Sequence, residues 1–326
     1  MRALPRRCML IACRRSPGAH GAPTIPGSSN MRYGLLAALL TGAMMLGGCT
    51  EGVLDPKGPI ALAERQILFN ALGIMLAIVI PVILAILGFA FWFRASNERA
   101  RYRPDFTYSG RLELLVWSIP AMTVLLVGGV AWIGAHDLDP GKPISSTVKP
   151  VNVEVVSLDW KWLFIYPEQG IASVNKLVVP VGTPISFELT SSSVMNSFFV
   201  PQLGSQIYTM SGMATRLHLQ ADHLGTYPGI SAMFSGEGFP YMHFTVEAVT
   251  DGGFAQWVRQ TGETGSILDK QAYADLVKPS KAVAPFTYRG VVSDLFSSIV
   301  NAGMGTQDSH QDSSLSVCST SQRAER

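Results

Sequence analysis

The stretch "SAMFSGEGFPYMHF", residues 231–244, has the length and glycine placement of a ligand loop that closes a β-barrel over a metal. Its donors are poor. It offers a thioether near its end, Met242, and a second at Met233, but no thiolate, and its imidazole, His243, stands beside Met242. A soft metal such as copper wants thiolate sulfur and imidazole nitrogen. The rest of the chain adds little. The four cysteines are Cys8, Cys13, Cys49 and Cys318, so none lies between residues 50 and 317. The folded body therefore has no disulfide framework and no thiolate metal site. His218 and His243 sit within alternating segments, on the face opposite Leu217 and Leu219 and opposite Met242 and Phe244. With His223, they read as surface or interface imidazoles, because a mononuclear blue-copper site would also need a cysteine. No Ser-His-Asp or Cys-His arrangement is supported, and no nucleotide fingerprint is present.

The elements that must position this loop follow from composition. The chain has 326 residues, 48% hydrophobic and 15% charged, against roughly 25% charged in soluble domains. A net charge of +2, without a basic stripe, is too small to imply a nucleic-acid partner, and none is expected. Mean hydropathy is +0.25, as for a membrane protein with a soluble part. No charge occurs between Arg65 and Arg94, nor between Glu113 and Asp137. Each run exceeds the roughly 20 residues needed to cross a bilayer, which predicts transmembrane helices over 66–93 and 114–136. Pro81 and Pro120 fall inside them and are tolerated where neighbouring helices satisfy the freed carbonyls. Trp92, Trp117 and Trp132 lie near the ends, as an aromatic belt places them. The connecting loop, 94–111, carries Arg94, Arg99, Arg101, Arg103 and Arg111. The positive-inside rule puts it in the cytoplasm, and everything after Asp137 outside. Glu113 and Asp137 are interfacial, since neither lies mid-span.

The N-terminal region reads as an export signal, 1–48. Arg32 precedes an apolar run that ends in "LGGC", the layout of a secretory signal. Gly47 and Gly48 before Cys49 resemble a bacterial lipobox. That resemblance makes Cys49 the lipidation site, each buried CH₂ of an acyl chain adding about 0.8 kcal/mol. Lipidation requires Cys49 to be outside, as the arginine loop does independently. Residues 1–30 carry four prolines and no sustained apolar run, so translation is expected to start at Met31.

Beyond the linker "DPGKPISSTVKP" the pattern becomes period-2: Val151, Val153 and Val155, then "KLVVPVG", "PISFELT", "TRLHLQ" and "YMHFTVEAV". Alternation punctuated by Gly and Pro predicts an all-β sandwich or barrel over 150–250. Alternation puts Trp160, Trp162, Phe164 and Tyr166 on one face as an aromatic ladder in the core, and Lys161, Leu163 and Ile165 on the other. A partner-facing surface is the alternative for the ladder. "FAQWVRQ" and "LDKQAYADLVKPS" predict a helical arm over 251–303. The low-complexity tail, 304–326, is expected to be disordered, with Cys318 a free thiol in it.

A lipoprotein signal, two helices and a β-domain with a late loop resemble subunit II of the haem–copper oxidases. That resemblance implies a membrane-anchored α+β chain: a two-helix transmembrane hairpin, a cupredoxin-like Greek-key domain and a short helical arm. In the cytochrome c oxidase branch the domain holds a dinuclear copper centre, CuA. Its ligands are an early His and a loop C-x-E-x-C-G-x-x-H-x-x-M. Here Asn196 in "MNSFFVP" stands at the early His position. Ser231 and Ser235 stand at the two Cys positions, Met233 at the Glu position and Phe239 at the second His position. Gly236 and Met242 are kept, so five of six ligand positions do not match.

This pattern resembles the bo-type ubiquinol oxidases, through "LDPKG", "FRASN", "EVVSLDWKWLFIYPEQGIASVN", "SSSVMNSFFVPQLGSQIYTMSGMATRLHL" and "GISAMFSGEGFPYMHF". The resemblance implies a non-catalytic second subunit of a proton-pumping quinol oxidase in a bacterial inner membrane. No cofactor is expected on this chain. The haems and CuB would lie on a partner subunit I, which the two helices would pack beside through Gly73, Gly88, Gly128 and Gly129. Further small subunits are expected partners; cytochrome c is not. A lipid-anchored assembly factor and a CuA-bearing oxidase subunit are the alternatives.

Overall fold

The computed structural model describes residues 52–101 and 105–304. The expected signal segment with Cys8 and Cys13, the expected lipidation site Cys49, and the tail from 305 with Cys318 lie outside the described residues.

Two long helices come first, α1 (Pro59–Trp92) and α2 (Gly110–Asp137). Proline at the first turn of α1 is pre-organised for a helix start. Both helices run through their internal prolines, Pro81 and Pro120, and both are apolar and long enough to span a bilayer. A Cβ added at Gly73, Gly88, Gly128 or Gly129 would meet nothing within 4 Å, so none of these glycines is used inside the hairpin. The close contact falls at Gly134, where a Cβ would lie 2.7 Å from Ile67 Cδ1.

The β-domain is two sheets face to face. The strands are β1 (Val151–Leu158), β2 (Lys161–Tyr166), β3 (Ile171–Val174), β4 (Lys176–Pro180) and β5 (Pro184–Ser191). They continue as β6 (Asn196–Val200), β7 (Gly204–Thr209), β8 (Thr215–Gln220), β9 (Gly225–Ser231) and β10 (His243–Val249). The arm follows: α3 (Asp251–Glu263), β11 (Ile267–Leu268), α4 (Lys270–Val277), β12 (Phe286–Tyr288), β13 (Gly290–Val291) and α5 (Leu295–Met304). Thr250 Oγ1 accepts from Gly253 N at 3.1 Å and Asp269 Oδ1 from Ala272 N at 2.8 Å, which caps α3 and α4.

The six-stranded sheet has the order β12-β3-β2-β1-β5-β8, the five-stranded sheet β4-β10-β9-β6-β7. β1 runs parallel to β5 and β4 parallel to β10, the other pairs in these two sheets being antiparallel. This is a cupredoxin-like arrangement.

Between the sheets lie Val153, Val155, Trp162, Phe164, Tyr166, Phe187, Phe198, Leu217, Phe244 and Val246. Phe198 and Phe244 stack with centroids 4.9 Å apart, and Trp162 meets both edge-on at 5.4 and 5.6 Å. The indole N–H of Trp162 is buried without a hydrogen-bond acceptor; edge-on rings are the setting for a weak N–H···π contact. The ladder expected from alternation thus holds for Trp162, Phe164 and Tyr166. Trp160, in the β1–β2 turn with φ +64°, is partly buried and packs against the edge of the same core.

The other face of β2 is also dry. Leu163 and Ile165 pack with Val156, Leu158 and Val174 against Leu268, Leu276, Tyr288, Leu295, Phe296 and Ile299 of the arm. Burying such side chains is worth about 2 kcal/mol each, which holds the arm on the sheet.

Candidate functional site

The site expected from sequence lies where β6 begins and β9 gives way to the loop before β10. Antiparallel pairing aligns Phe198 with Ser231 and so brings the start of β6 to the end of β9. Asn196 and Ser231 are both buried, and Ser231 Oγ donates to Asn196 Oδ1 or to the carbonyl of Met233, each at 3.2 Å. Asn196 Nδ2 donates to the carbonyl of Val194 at 3.2 Å. Ser235 Oγ lies 3.8 Å from Met242 Sδ, and Met242 is buried. Phe239 opens a 3-10 turn, Phe239–Tyr241, and its ring lies 5.6 Å from that of Phe234. The fold therefore joins Asn196, Ser231 and Met233 by hydrogen bonds, pairs Ser235 with Met242, and sets Phe239 in the adjoining aromatic contact.

These donors do not fit a metal pair held by thiolates and imidazoles. Serine hydroxyls at neutral pH are protonated and hard, an amide is a weak ligand, and a phenyl ring has no lone pair. Among the described residues no group of three or more His, Cys, Asp or Glu is placed to hold a metal ion. His243 is exposed, paired with Ile230 on β9, and His223 is exposed in the loop before β9. His218 is half-buried on β8, where its backbone N–H donates to the carbonyl of Pro140 in the linker. Burial, then the charge of Arg216, moves its imidazole below the ordinary value, while a bond to the Gly141 backbone opposes this.

Several positioning residues carry no sequence signal as site residues. Trp160 Nε1 donates to the carbonyl of Ser235 at 2.9 Å. The loop backbone lies against the same indole: a Cβ at Gly238 would stand 2.1 Å from Trp160 Cδ2. Gly236 has φ +99°, a conformation that favours glycine. The buried Lys161 donates from Nζ to the carbonyl of Lys278 at 2.8 Å and to Ser280 Oγ at 2.5 Å. Burial pushes its ammonium below the ordinary lysine value, partly offset by Asp159.

At the far end of β6, residues 55–62 clasp the β-domain. Lys57 N donates to the Gln202 carbonyl at 2.7 Å, Asp222 N to the Lys57 carbonyl at 2.7 Å, and Ala61 N to the Leu203 carbonyl at 3.3 Å. A Cβ at Gly58 would lie 2.1 Å from the carbonyl oxygen of Gln220. Ser205 Oγ donates to Glu64 on α1 at 2.5 Å. The "LDPKG" motif is thus the seam between hairpin and β-domain.

A third cluster lies on the outer face of the six-stranded sheet. Glu154 stands directly opposite Glu188 on the parallel neighbour, and Glu188 opposite Arg216. Burial, and next the Glu188 charge, lift the Glu154 carboxyl to about 7.

Known proteins share this architecture in sequence as well. Residues 153–249 match the family described as cytochrome c oxidase subunit II, periplasmic domain, and residues 263–307 match the COX aromatic rich motif. The chain is 48% identical to cytochrome bo(3) ubiquinol oxidase subunit 2 of Pseudomonas aeruginosa over 261 residues, 80% of this chain and 79% of that one. It is 43% identical to the protein of the same name from Pseudomonas putida over 302 residues, 91% and 96% of the two chains. It is 45% identical to ubiquinol oxidase subunit 2 of Acetobacter aceti over 270 residues, 81% and 88%.

Proposed function

The chain belongs to the ubiquinol oxidase subunit 2 family, within the cytochrome c oxidase subunit II superfamily, and on that premise we propose that it is the non-catalytic second subunit of a proton-pumping ubiquinol oxidase. The single observation that carries the reading is the donor set of the loop cluster. Asn196, Ser231, Met233, Ser235 and Phe239 replace five of the six ligands a CuA centre needs, and the two serine hydroxyls engage neighbours within the protein.

The physical logic concerns where electrons enter. A water-soluble cytochrome c docks from outside, so its oxidase needs an outer relay. Ubiquinol is lipid-soluble and delivers electrons within the membrane. An outer copper pair then has no task, and hydrogen bonds and packing close the barrel in its place. The haems and CuB belong to subunit I, which reduces O₂ to water. This chain caps that partner on the periplasmic face. Gly73, Gly88, Gly128 and Gly129, open in the hairpin, suit close approach of its helices. Cys49 carries the lipid anchor, and the arginine loop is cytoplasmic.

Purification through a tag on this chain in mild detergent tests the reading. The expected product contains a haem-bearing partner, consumes O₂ with ubiquinol and not with reduced cytochrome c, and carries no copper on this chain. Two coppers per copy of this chain with thiolate absorption would overturn the metal-free reading. Recovery without haem subunits would favour an assembly factor.

A further inference from the structure

The loop 231–242 and the arm touch through two consecutive residues of the β1–β2 hairpin. Trp160 holds the loop: its indole N–H donates to the Ser235 carbonyl at 2.9 Å, and Gly238 lies against its ring with no room for a Cβ. Lys161 holds the arm: its ammonium binds the Lys278 carbonyl and Ser280 Oγ. These partners belong to one short strap, residues 278–283, between α4 and β12. The strap is pinned again at its far end. Asn175, buried and at φ +55°, donates from Nδ2 to the Val283 carbonyl at 2.8 Å while its Oδ1 accepts from Trp162 N at 2.8 Å. It also returns to the loop. Lys281 lies 5.7 Å from the Trp160 ring centre and pairs with Glu237 at 2.6 Å.

Both residues of the dipeptide depend on their surroundings. Trp160 sits at φ +64°, a backbone region that costs a bulky residue on the order of 1 kcal/mol or more and persists only where neighbours hold it. The loop and the strap are those neighbours. Lys161 is 2% exposed, and its hydrogen-bond partners are a carbonyl and a hydroxyl. A buried ammonium that loses such acceptors is strongly disfavoured, so freeing the strap must draw Lys161 toward water. The adjacent Trp160 cannot keep its strained turn unchanged when that happens.

We propose that the Trp160–Lys161 dipeptide couples the C-terminal strap to the 231–242 loop, so that displacing the strap opens the loop and disturbing the loop frees the strap. The exposed rings of Phe234 and Tyr241 on that loop are the surface whose position the arm then controls.

Hydrogen exchange of the detergent-purified full chain in its complex tests this, read separately for 231–242 and 278–283. Ser280→Ala removes one acceptor and leaves the lysine. It is expected to speed exchange about threefold to tenfold in the strap and, with it, in the loop. Lys161→Met is expected to do more at both places. Gly238→Ala supplies the reverse arm, because coupling is reciprocal: pushed against Trp160, it should speed exchange in the strap. Glu237→Gln, which cuts only the exposed ion pair, should change little. If Lys161→Met fails to assemble, Ser280→Ala and Gly238→Ala decide. Faster exchange confined to the mutated segment, or no change in either, overturns the coupling.

Discussion

Strand β6 has two ends, and the chain secures them by different means. At its C-terminal end, the 55–62 clasp is backbone against backbone. Amides and carbonyls of Lys57, Ala61, Gln202, Leu203 and Asp222 pair directly, and Gly58 passes Gln220 with no space for a methyl group. At its N-terminal end the backbone also pairs, Ser231 N with the Met242 carbonyl and Ala232 N with the Ser197 carbonyl, but Asn196, Ser231, Ser235 and Met242 add contacts through side chains, one of them a long hydroxyl–thioether approach. Backbone contacts of this kind admit one geometry. Side-chain contacts admit substitution, provided each buried polar group keeps a partner. The difference suits a chain in which the join to the apolar hairpin is fixed while the loop end is open to other closing groups.

The largest effect is therefore expected at the clasp. Gly58→Val would force atoms into the Gln220 carbonyl, and relief requires moving backbone on both sides. Overpacking of this kind costs about 3 kcal/mol or more when nothing flexible can yield. Thermal unfolding of the purified chain should show the loss, and protease should cut between Gly52 and Pro59 where the parent resists. An unchanged unfolding temperature would mean the two ends do not differ as described.

A smaller effect is expected at the loop end, with a different signature. Ser231→Ala leaves the buried Asn196 Oδ1 without its hydroxyl donor, at about 1–3 kcal/mol. Adding Asn196→Leu removes the orphaned amide as well and should restore part of the loss. A double-mutant cycle on unfolding free energy reads this directly. Additive losses would show that the two side chains do not close the barrel together.

The two ends of β6 also differ in how far the sequence announces them. The loop positions are legible because Gly236 and Met242 fix the spacing against which Asn196, Ser231, Met233, Ser235 and Phe239 can be counted. The clasp is visible only as the string "LDPKG", since close backbone approach leaves no trace in composition beyond one glycine. The hairpin stands out because a charge-free run of that length is rare outside a bilayer, and α1 and α2 lie there. Period-2 alternation is incomplete at β2 in two ways. It puts Trp160 with the core, against which that ring does pack, but it does not show the turn that holds the residue at positive φ, where Gly or Asn would have marked it. It also places Lys161, Leu163 and Ile165 on a second face without showing that the arm covers that face. A lysine reads as exposed in any pattern argument, and only the fold supplies the carbonyl of Lys278 that admits it.

The smallest expected effect comes from a site at neither end, and it separates local closure from general stability. Glu154 lies on the outer face of the six-stranded sheet beside Glu188. Burial first, and the neighbouring charge second, raise its carboxyl from 4.5 to about 7. The folded state thus binds this proton more tightly than the unfolded chain does. Stability from this group is fully present below the unfolded value and declines as pH climbs toward 7, after which the deficit is constant. Glu154→Gln abolishes the titration. Allowing for the partial exposure of the side chain, its gain at pH 8 is on the order of 1 kcal/mol, roughly 2–4 °C in Tm. Little gain is expected at pH 5. The variant should leave exchange in the 231–242 loop and in the clasp unaltered. If instead Glu154→Gln slowed exchange at both ends of β6 as pH rose, the ends would be reporting the stability of the whole sandwich, and the contrast between backbone and side-chain closure would lose its meaning.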